Sequence, residues 1–130
     1  MTITLHAHAL EPTDFEESLL SPPAAEPLSG EIAVRSKVIY TSNNQQIAAG
    51  TWESEPGLSR WEFLSRGEVI HIIHGRMIAT RDGEDPVELR EGTTAVFPQG
   101  WTGTWRVLEK LRKVFVVYRS DSQTDPASGR

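Results

Sequence analysis

The sequence predicts an all-β fold, either a sandwich or a closed barrel. Eight short runs rich in β-branched and aromatic residues occupy the middle of the chain, and turn-forming pairs separate most of them. Asp82-Gly83, between two such runs, is typical of a tight hairpin. No central stretch has the periodicity of a helix. The predicted strands are 36–41, 46–53, 68–73, 76–80, 86–89, 94–97, 104–108 and 113–118.

The two ends of the chain differ in composition from this middle. Residues 1–30 are rich in Pro, Ala, Ser and Glu, which predicts an arm that lies over the domain. Within the arm, 14–20 is expected to form a helical turn before a Pro-Pro pair ends it. The barrel is expected over 31–119. Residues 120–130 carry turn formers and hardly any apolar side chain, which predicts a flexible C-terminal tail.

Length and charge exclude several classes of protein. A chain of 130 residues fits one domain. Its net charge is −5 and its 13 Lys and Arg residues are scattered, so nucleic acid is not an expected partner. No apolar run is long enough for a bilayer and no signal peptide is present, so we expect no membrane contact and a cytoplasmic location. The absence of cysteine excludes disulfides and thiolate metal sites.

Both faces of one predicted strand are apolar. In 68–73, Ile70 and Ile72 lie on one face, and Val69 and Ile73 lie on the other. In a sheet with one solvent-exposed face, apolar and polar residues alternate along each strand. Since they do not alternate here, a second layer, the arm or another subunit must cover the outer face. We favour a homodimer.

The spacing of glycine, proline and glutamate matches a known pattern. Glu68 precedes Gly75 by seven positions, and Gly92 is followed by Pro98 and then Gly100. This skeleton resembles the two motifs of the cupin superfamily, G-x5-H-x-H-x3,4-E-x6-G and G-x5-P-x-G-x2-H-x3-N. The resemblance implies a double-stranded β-helix, the jelly-roll barrel of RmlC-like cupins, with an N-terminal arm in front of it.

Four segments make the resemblance narrower. They look like the small cupins related to (S)-ureidoglycine aminohydrolase and to the ethanolamine-utilisation cupin. The segments are GTWESEPG at 50–57, GEVIHIIHGRM at 67–77, FPQGWTGTW at 97–105 and VLEKLRKVFVVY at 107–118.

The sequence departs from the cupin motifs at the positions of the metal ligands. The resemblance implies three His and one Glu as ligands, but only Glu68 is present. The first two histidine positions fall within 61–64, which contains Trp61 and Leu64 but no histidine, and the third falls at Gly103. We therefore expect no metal cofactor.

Glu68 is the first candidate for chemistry. At its motif position it would point into an apolar barrel, where burial raises a carboxyl pKa and prepares the group for acid–base catalysis or for binding a cationic ligand. Alternatively, Glu68 forms a structural ion pair with Arg60 or Lys113. Arg60 and Lys113 are also candidates for binding the ligand. Lys113 shares the strand face of Phe115, so it could equally serve an anionic ligand.

Aromatic residues near the two motif segments are candidates for the wall of a pocket. Trp52, Trp61, Phe97 and Trp105 would suit a small planar or cationic ligand, or they simply pack the core. Trp101 is placed at a turn and is a weaker candidate for the wall.

The remaining motifs are assigned structural roles. His71 is expected on the outer face, since its parity is opposite to that of Glu68, and His74 is expected in a turn. His6 and His8 share a face in the arm but lack a third ligand. Two segments are interpreted as a charged turn at 109–112, with Glu109 and Arg112, and an acidic hairpin tip at 82–85.

Two hypotheses of function follow, and a third is less favoured. The first is a metal-independent module that binds a small polar or nitrogenous metabolite in the barrel. The second is a small enzyme for a ureide or an amine, with Glu68 as acid or base. A purely structural subunit is favoured if the barrel is filled by its own tryptophans.

Overall fold

The computed structural model describes residues 2–119; the predicted tail at 120–130 lies outside them. Nine strands form, and no α-helix occurs in the described part of the chain. Two single 3-10 turns lie in the N-terminal arm, at Ala7–Ala9 and Pro12–Asp14. The strands are β1 (Glu16–Leu19), β2 (Glu26–Pro27), β3 (Ala33–Thr41), β4 (Ile47–Ser54), β5 (Gly57–Glu62), β6 (Arg66–Arg81), β7 (Val87–Arg90), β8 (Thr94–Phe97) and β9 (Thr102–Arg119).

Two long strands, β6 and β9, run antiparallel and belong to both layers of the fold. The first half of β6 and the second half of β9 pair with β8 and β4, and β3 and β1 continue that layer. The other halves of β6 and β9 pair with β7 and β5, and β2 extends this second layer. The predicted all-β barrel is therefore confirmed, with both layers sharing their two central strands.

The shared strands bend where separate strands were predicted. Register shifts lie between Ile72 and Met77, opposite the charged segment of β9. Gly75 has φ +88° at this bend, and a Cβ there would lie 2.2 Å from the carbonyl oxygen of Lys110. The predicted turns at His74-Gly75 and at 109–112 are therefore wrong, because a bulge bends each strand without interrupting its pairing.

The arm joins the sheets. The predicted helical turn at 14–20 is wrong, since β1 occupies Glu16–Leu19 and pairs with β3. β2 pairs with β5 in the other layer, and the segment between β1 and β2 buries Leu20 and Ala25 in the core. The arm consequently connects an edge of one layer to an edge of the other.

Apolar side chains fill the space between the layers. Aromatic rings dominate this core, and they contact one another in stacked or tilted arrangements from Phe97 and Phe63 to Trp105 and Trp61. Trp105, Phe63 and Met77 are completely buried. Of these four rings, Trp61 reaches the site described next.

Candidate functional site

Alternation along β6 places one carboxylate inside the barrel. Glu68, Ile70 and Ile72 point inward and are 4%, 1% and 1% exposed. Glu68 lies between Val117 of β9 and Phe97 of β8. Its side chain is therefore surrounded by apolar neighbours, where an unpaired carboxylate would be unfavourable.

Lys113 on β9 supplies the partner. Its Nζ donates a hydrogen bond of 2.7 Å to Oε2 of Glu68, and both side chains are almost fully buried. Burial lowers the pKa of the Lys113 ammonium below its ordinary value, while the Glu68 carboxylate acts in the opposite direction. We call these two residues the inner ion pair.

Three tryptophans surround the inner ion pair. The Lys113 Nζ is 4.5 Å from the ring centroids of Trp52 and Trp105 and 5.7 Å from that of Trp61. Trp61 and Trp105 stack with their centroids 3.9 Å apart. Aromatic faces attract a cation most strongly when water is excluded, so the three tryptophans offset part of the free-energy cost of burying the Lys113 ammonium.

A cavity opens onto the inner ion pair. Its volume of about 320 Å³ is at the small end of the range for ligand pockets. Trp52 and Trp61 form its aromatic side, and the arm covers it with Pro23 and Ala24. The complete lining is Pro23, Ala24, Trp52, Trp61, Arg66, Glu68, Lys113, Phe115, Val117 and Arg119.

The structure places four of the predicted site residues, Trp52, Trp61, Glu68 and Lys113, at this cavity. Phe97 and Trp105 do not line it. Both belong to the aromatic core, with exposures of 3% and 0%, because Trp61 covers Trp105 and Phe97 lies behind Trp105.

Arg60 is not part of the cavity. Its Nη1 and Nη2 donate to the two carboxylate oxygens of Asp82 at 2.9 and 2.7 Å, and its Nε contacts Glu62. The hydrogen bonds from Arg60, and then that from Thr102, lower the pKa of Asp82 to about 2. The predicted placement of Arg60 at the ligand, or as partner of Glu68, is wrong because the acidic turn after β6 binds it at the surface.

Two arginines that sequence reasoning missed also line the cavity. Arg66 lies two residues before Glu68, and Arg119 lies two residues after Val117. Strand parity alone would have placed both side chains on the inner face, had the strands been extended to their true ends. Nothing in the sequence indicated that Pro23 and Ala24 of the arm would line the cavity.

A second group of charges lies on the opposite face of β9, and we call it the outer ion cluster: Arg35, Glu53, Glu55 and Arg112. Glu53 accepts a hydrogen bond of 2.7 Å from Arg35 and one of 3.1 Å from Arg112. Burial raises the pKa of Glu53, but the hydrogen bonds and the positive charges of Arg35 and Arg112 together lower it by more, so the net pKa lies below the ordinary value. Arg112 also donates to the carbonyl oxygen of Ala7, which attaches the arm.

Histidines lie at the surface. His71 is exposed on the outer face and hydrogen-bonds to Thr94 at 2.8 Å. His8 meets His74 edge to face, with ring centroids 5.4 Å apart. His6 is exposed in the arm. Within residues 2–119, no three His, Asp or Glu side chains lie close enough together to hold a metal ion.

The positions that the cupin motifs reserve for metal ligands do not fit a metal here. Trp61 and Phe63 are core rings. At Gly103 a Cβ would lie 2.2 Å from the carbonyl oxygen of Thr80, so no side chain fits there without displacing the backbone. Trp101, two residues before Gly103, lies at the end of a turn that starts at Pro98, where it was predicted. Its ring is 6% exposed and packs on Phe97.

The fold and the site together define a small jelly-roll barrel with a charged pair at the base of an aromatic cavity. A family model described as the EutQ-like cupin domain matches residues 41–115. This covers more than half of the chain, and the chain belongs to that cupin family.

Solved structures agree on the fold. A protein of unknown function from Pseudomonas syringae pv. tomato, of the DUF861 family, has a TM-score of 0.70 at 21% identity. It aligns with 87% of this chain, which spans only 46% of that protein's length. The EutQ protein of Clostridium difficile has a TM-score of 0.59 at 21% identity and covers 76% of this chain and 72% of its own.

A further neighbour is described as a putative ethanolamine utilisation protein Q from Salmonella typhimurium. It has a TM-score of 0.60 at 12% identity and covers 82% of this chain and 98% of its own. No curated protein matches the chain significantly.

Proposed function

We propose that the protein binds a small polar or nitrogenous metabolite in the barrel cavity without a metal. The observation that carries this proposal is the inner ion pair, which is held inside the barrel yet lines a cavity of about 320 Å³. A structural ion pair needs no such opening. Apolar walls with a few convergent polar groups are typical of small-molecule sites.

The tryptophans support the same proposal. Trp52 is only partly buried and lines the cavity together with Trp61, so the core tryptophans do not fill the barrel completely. A planar or partly apolar ligand would rest on these rings. A purely structural barrel has no need of this space.

A thermal-shift screen tests the proposal. Amino acids, ureides, amines, carboxylates and phosphates would each be added to the full-length protein, with and without EDTA. A ligand that binds only the folded state raises the melting temperature according to its concentration relative to Kd. We expect at least one class to stabilise the protein equally in both conditions. No stabilisation by any class would refute the proposal.

A second candidate function is acid–base catalysis on a ureide or an amine, in line with the resemblance to ureidoglycine aminohydrolase. The observation that favours it is the hydrogen bond between Glu68 and a lysine whose pKa burial lowers. This hydrogen bond provides a path along which a proton can pass between the two side chains. Turnover by the wild type that disappears in Glu68→Gln, with ligand binding retained, would support catalysis. Equal turnover in both would exclude Glu68 from the chemistry.

The homodimer stays a prediction. Its support is an apolar row on the outer sheet face, where Val96, Val69, Val116, Ala49 and Tyr40 lie opposite one another on neighbouring strands. Sedimentation velocity of the full chain tests it, and a monomer across the micromolar range would contradict it.

The cytoplasmic location is also still a prediction. The described residues contain no helix long and apolar enough to cross a membrane.

A further inference from the structure

Two arginines face each other at the cavity. Arg66 begins β6 and Arg119 ends β9, and the two residues are direct cross-strand partners. Both side chains line the cavity. Like charges directly opposite each other destabilise a sheet, so this arrangement has a cost that something else must offset.

Neither arginine has a carboxylate partner within the described range 2–119. Most other arginines there form ion pairs at 4.0 Å or less, including those of the outer ion cluster and Arg60. The Glu68 carboxylate is the acidic group of the cavity lining, and its hydrogen bond goes to Lys113. As far as residues 2–119 are concerned, the two guanidinium groups therefore retain free donors.

Arg66 is held in place without a counter-ion. Its Nη2 donates to the carbonyl oxygen of Ala24 at 3.0 Å, and its guanidinium carbon lies 4.9 Å from the ring centroid of Phe63. Burial is the main cause that lowers its pKa, followed by Arg119, while Glu68 opposes the change. A guanidinium fixed in this way is preorganised for a ligand rather than free to turn into solvent.

The charge of the cavity is positive in every protonation state of the inner ion pair. Arg66 and Arg119 always contribute two positive charges. The inner ion pair adds zero when both groups are charged or both are neutral, one negative charge if only Lys113 is neutral, and one positive charge if only Glu68 is neutral. This contrasts with the chain as a whole, whose net charge is −5.

We propose that the cavity selects small metabolites that carry a carboxylate or phosphate group, bound between Arg66 and Arg119, with the rest of the ligand against Trp52 and Trp61. This inference rests on the proposed binding function and names its ligand class. Guanidinium groups bind both oxyanions through paired hydrogen bonds, and an anion between them removes their mutual repulsion. A cationic ligand, in contrast, would have to displace Lys113 from Glu68.

Four probes that share one ring test the inference: benzoate, phenyl phosphate, benzamide and benzylamine. Each is titrated into the full-length protein at constant ionic strength, and binding is followed by tryptophan fluorescence, since Trp52 and Trp61 line the cavity. We expect benzoate or phenyl phosphate to bind at least tenfold more tightly than benzamide and benzylamine. The comparison of the two anions decides between carboxylate and phosphate.

Three variants locate the anion. Arg119→Gln changes an exposed residue and should weaken the preferred anion about tenfold while leaving benzamide unchanged. Arg66→Gln should do the same, and its circular dichroism shows whether it folds. Arg106→Gln is the matched control, because it removes the same charge from an exposed position of β9 outside the cavity and should change nothing.

The outcomes separate the two proposals. Benzylamine or benzamide binding as tightly as the anions overturns the anion preference and leaves the binding function standing. An anion whose affinity is the same in Arg119→Gln as in wild type also overturns it. If none of the four probes binds and the thermal-shift screen is negative as well, the proposed function itself fails.

Discussion

Two groups of buried charge lie back to back on β9, and they differ in how completely they are satisfied. Arg112 points outward and Lys113 points inward from adjacent positions. In the outer ion cluster, Glu53 accepts from two arginines, and Arg35 also donates to Glu55 at 2.6 Å. In the inner ion pair, one hydrogen bond joins two residues that line an open cavity.

This difference separates a structural role from a binding role. The outer ion cluster connects β3, β4, β9 and the arm. Both carboxylate oxygens of Glu53 accept hydrogen bonds from other residues of the fold. The inner ion pair joins only β6 and β9, which already pair along their whole length. Its charges contribute little to holding strands together, which supports the proposal that they serve ligand recognition.

One of the two largest expected effects is that of Glu53→Gln. The substitution leaves Arg35 and Arg112 without the carboxylate that they share, and breaking a buried ion pair in this way costs about 3 kcal/mol. Urea denaturation would measure the loss in the free energy of unfolding. Ligand binding at the cavity should persist in the folded fraction. A loss below about 0.5 kcal/mol would show that the cluster is not structural.

A smaller effect on stability is expected from the double variant Glu68→Leu/Lys113→Met. Replacing a buried ion pair by apolar side chains of similar size is often neutral or stabilising, so the free energy of unfolding should change by no more than about 1 kcal/mol. Lys113→Met alone leaves an unpaired carboxylate and should cost about 3 kcal/mol. If the double variant is as unstable as the single one, the inner ion pair is structural.

The loss of stability at acidic pH should depend on the outer ion cluster. The folded-state pKa of Glu53 is lower than its ordinary value of 4.5. Its contribution is therefore complete above that value and is lost as the pH falls through the folded-state pKa. Melting temperatures between pH 6 and 3 should fall less steeply in Glu53→Gln than in wild type. Parallel curves would contradict the lowered pKa.

The smallest effect is expected from Arg60→Gln. Arg60 is bound to Asp82 at the surface and does not line the cavity, so ligand affinity should be unchanged and the melting temperature nearly so. Exposed ion pairs contribute little to stability. A marked loss of ligand affinity would restore Arg60 to the site, where the sequence had placed it.

Much of the fold was predictable from local chemistry. Turn residues and β-rich runs predict the strands, and the period of two along 68–73 correctly places Glu68 inside and His71 outside. The same period made a barrel-facing Lys113 one of two alternatives, and the structure shows that it faces the barrel. Long-range pairing was not predictable, so the bends at Gly75 and opposite it in β9 were interpreted as turns.

The cavity was predictable only in part. Its inward-facing residues Trp52, Trp61, Glu68 and Lys113 follow from motif position and parity. Arg66 and Arg119 were missed because they lie at strand ends, where boundaries are least certain. The cover from the arm depends on tertiary contacts such as that between Arg66 and Ala24, which no local pattern encodes.

The most direct test of the account applies the thermal-shift screen, in EDTA, to three proteins: wild type, Glu53→Gln and Glu68→Leu/Lys113→Met. We expect compounds that raise the melting temperature of wild type to raise that of Glu53→Gln by a similar amount. The same compounds should leave the double variant unchanged. A double variant that keeps the full ligand-induced shift would contradict the claim that the inner ion pair marks the binding site.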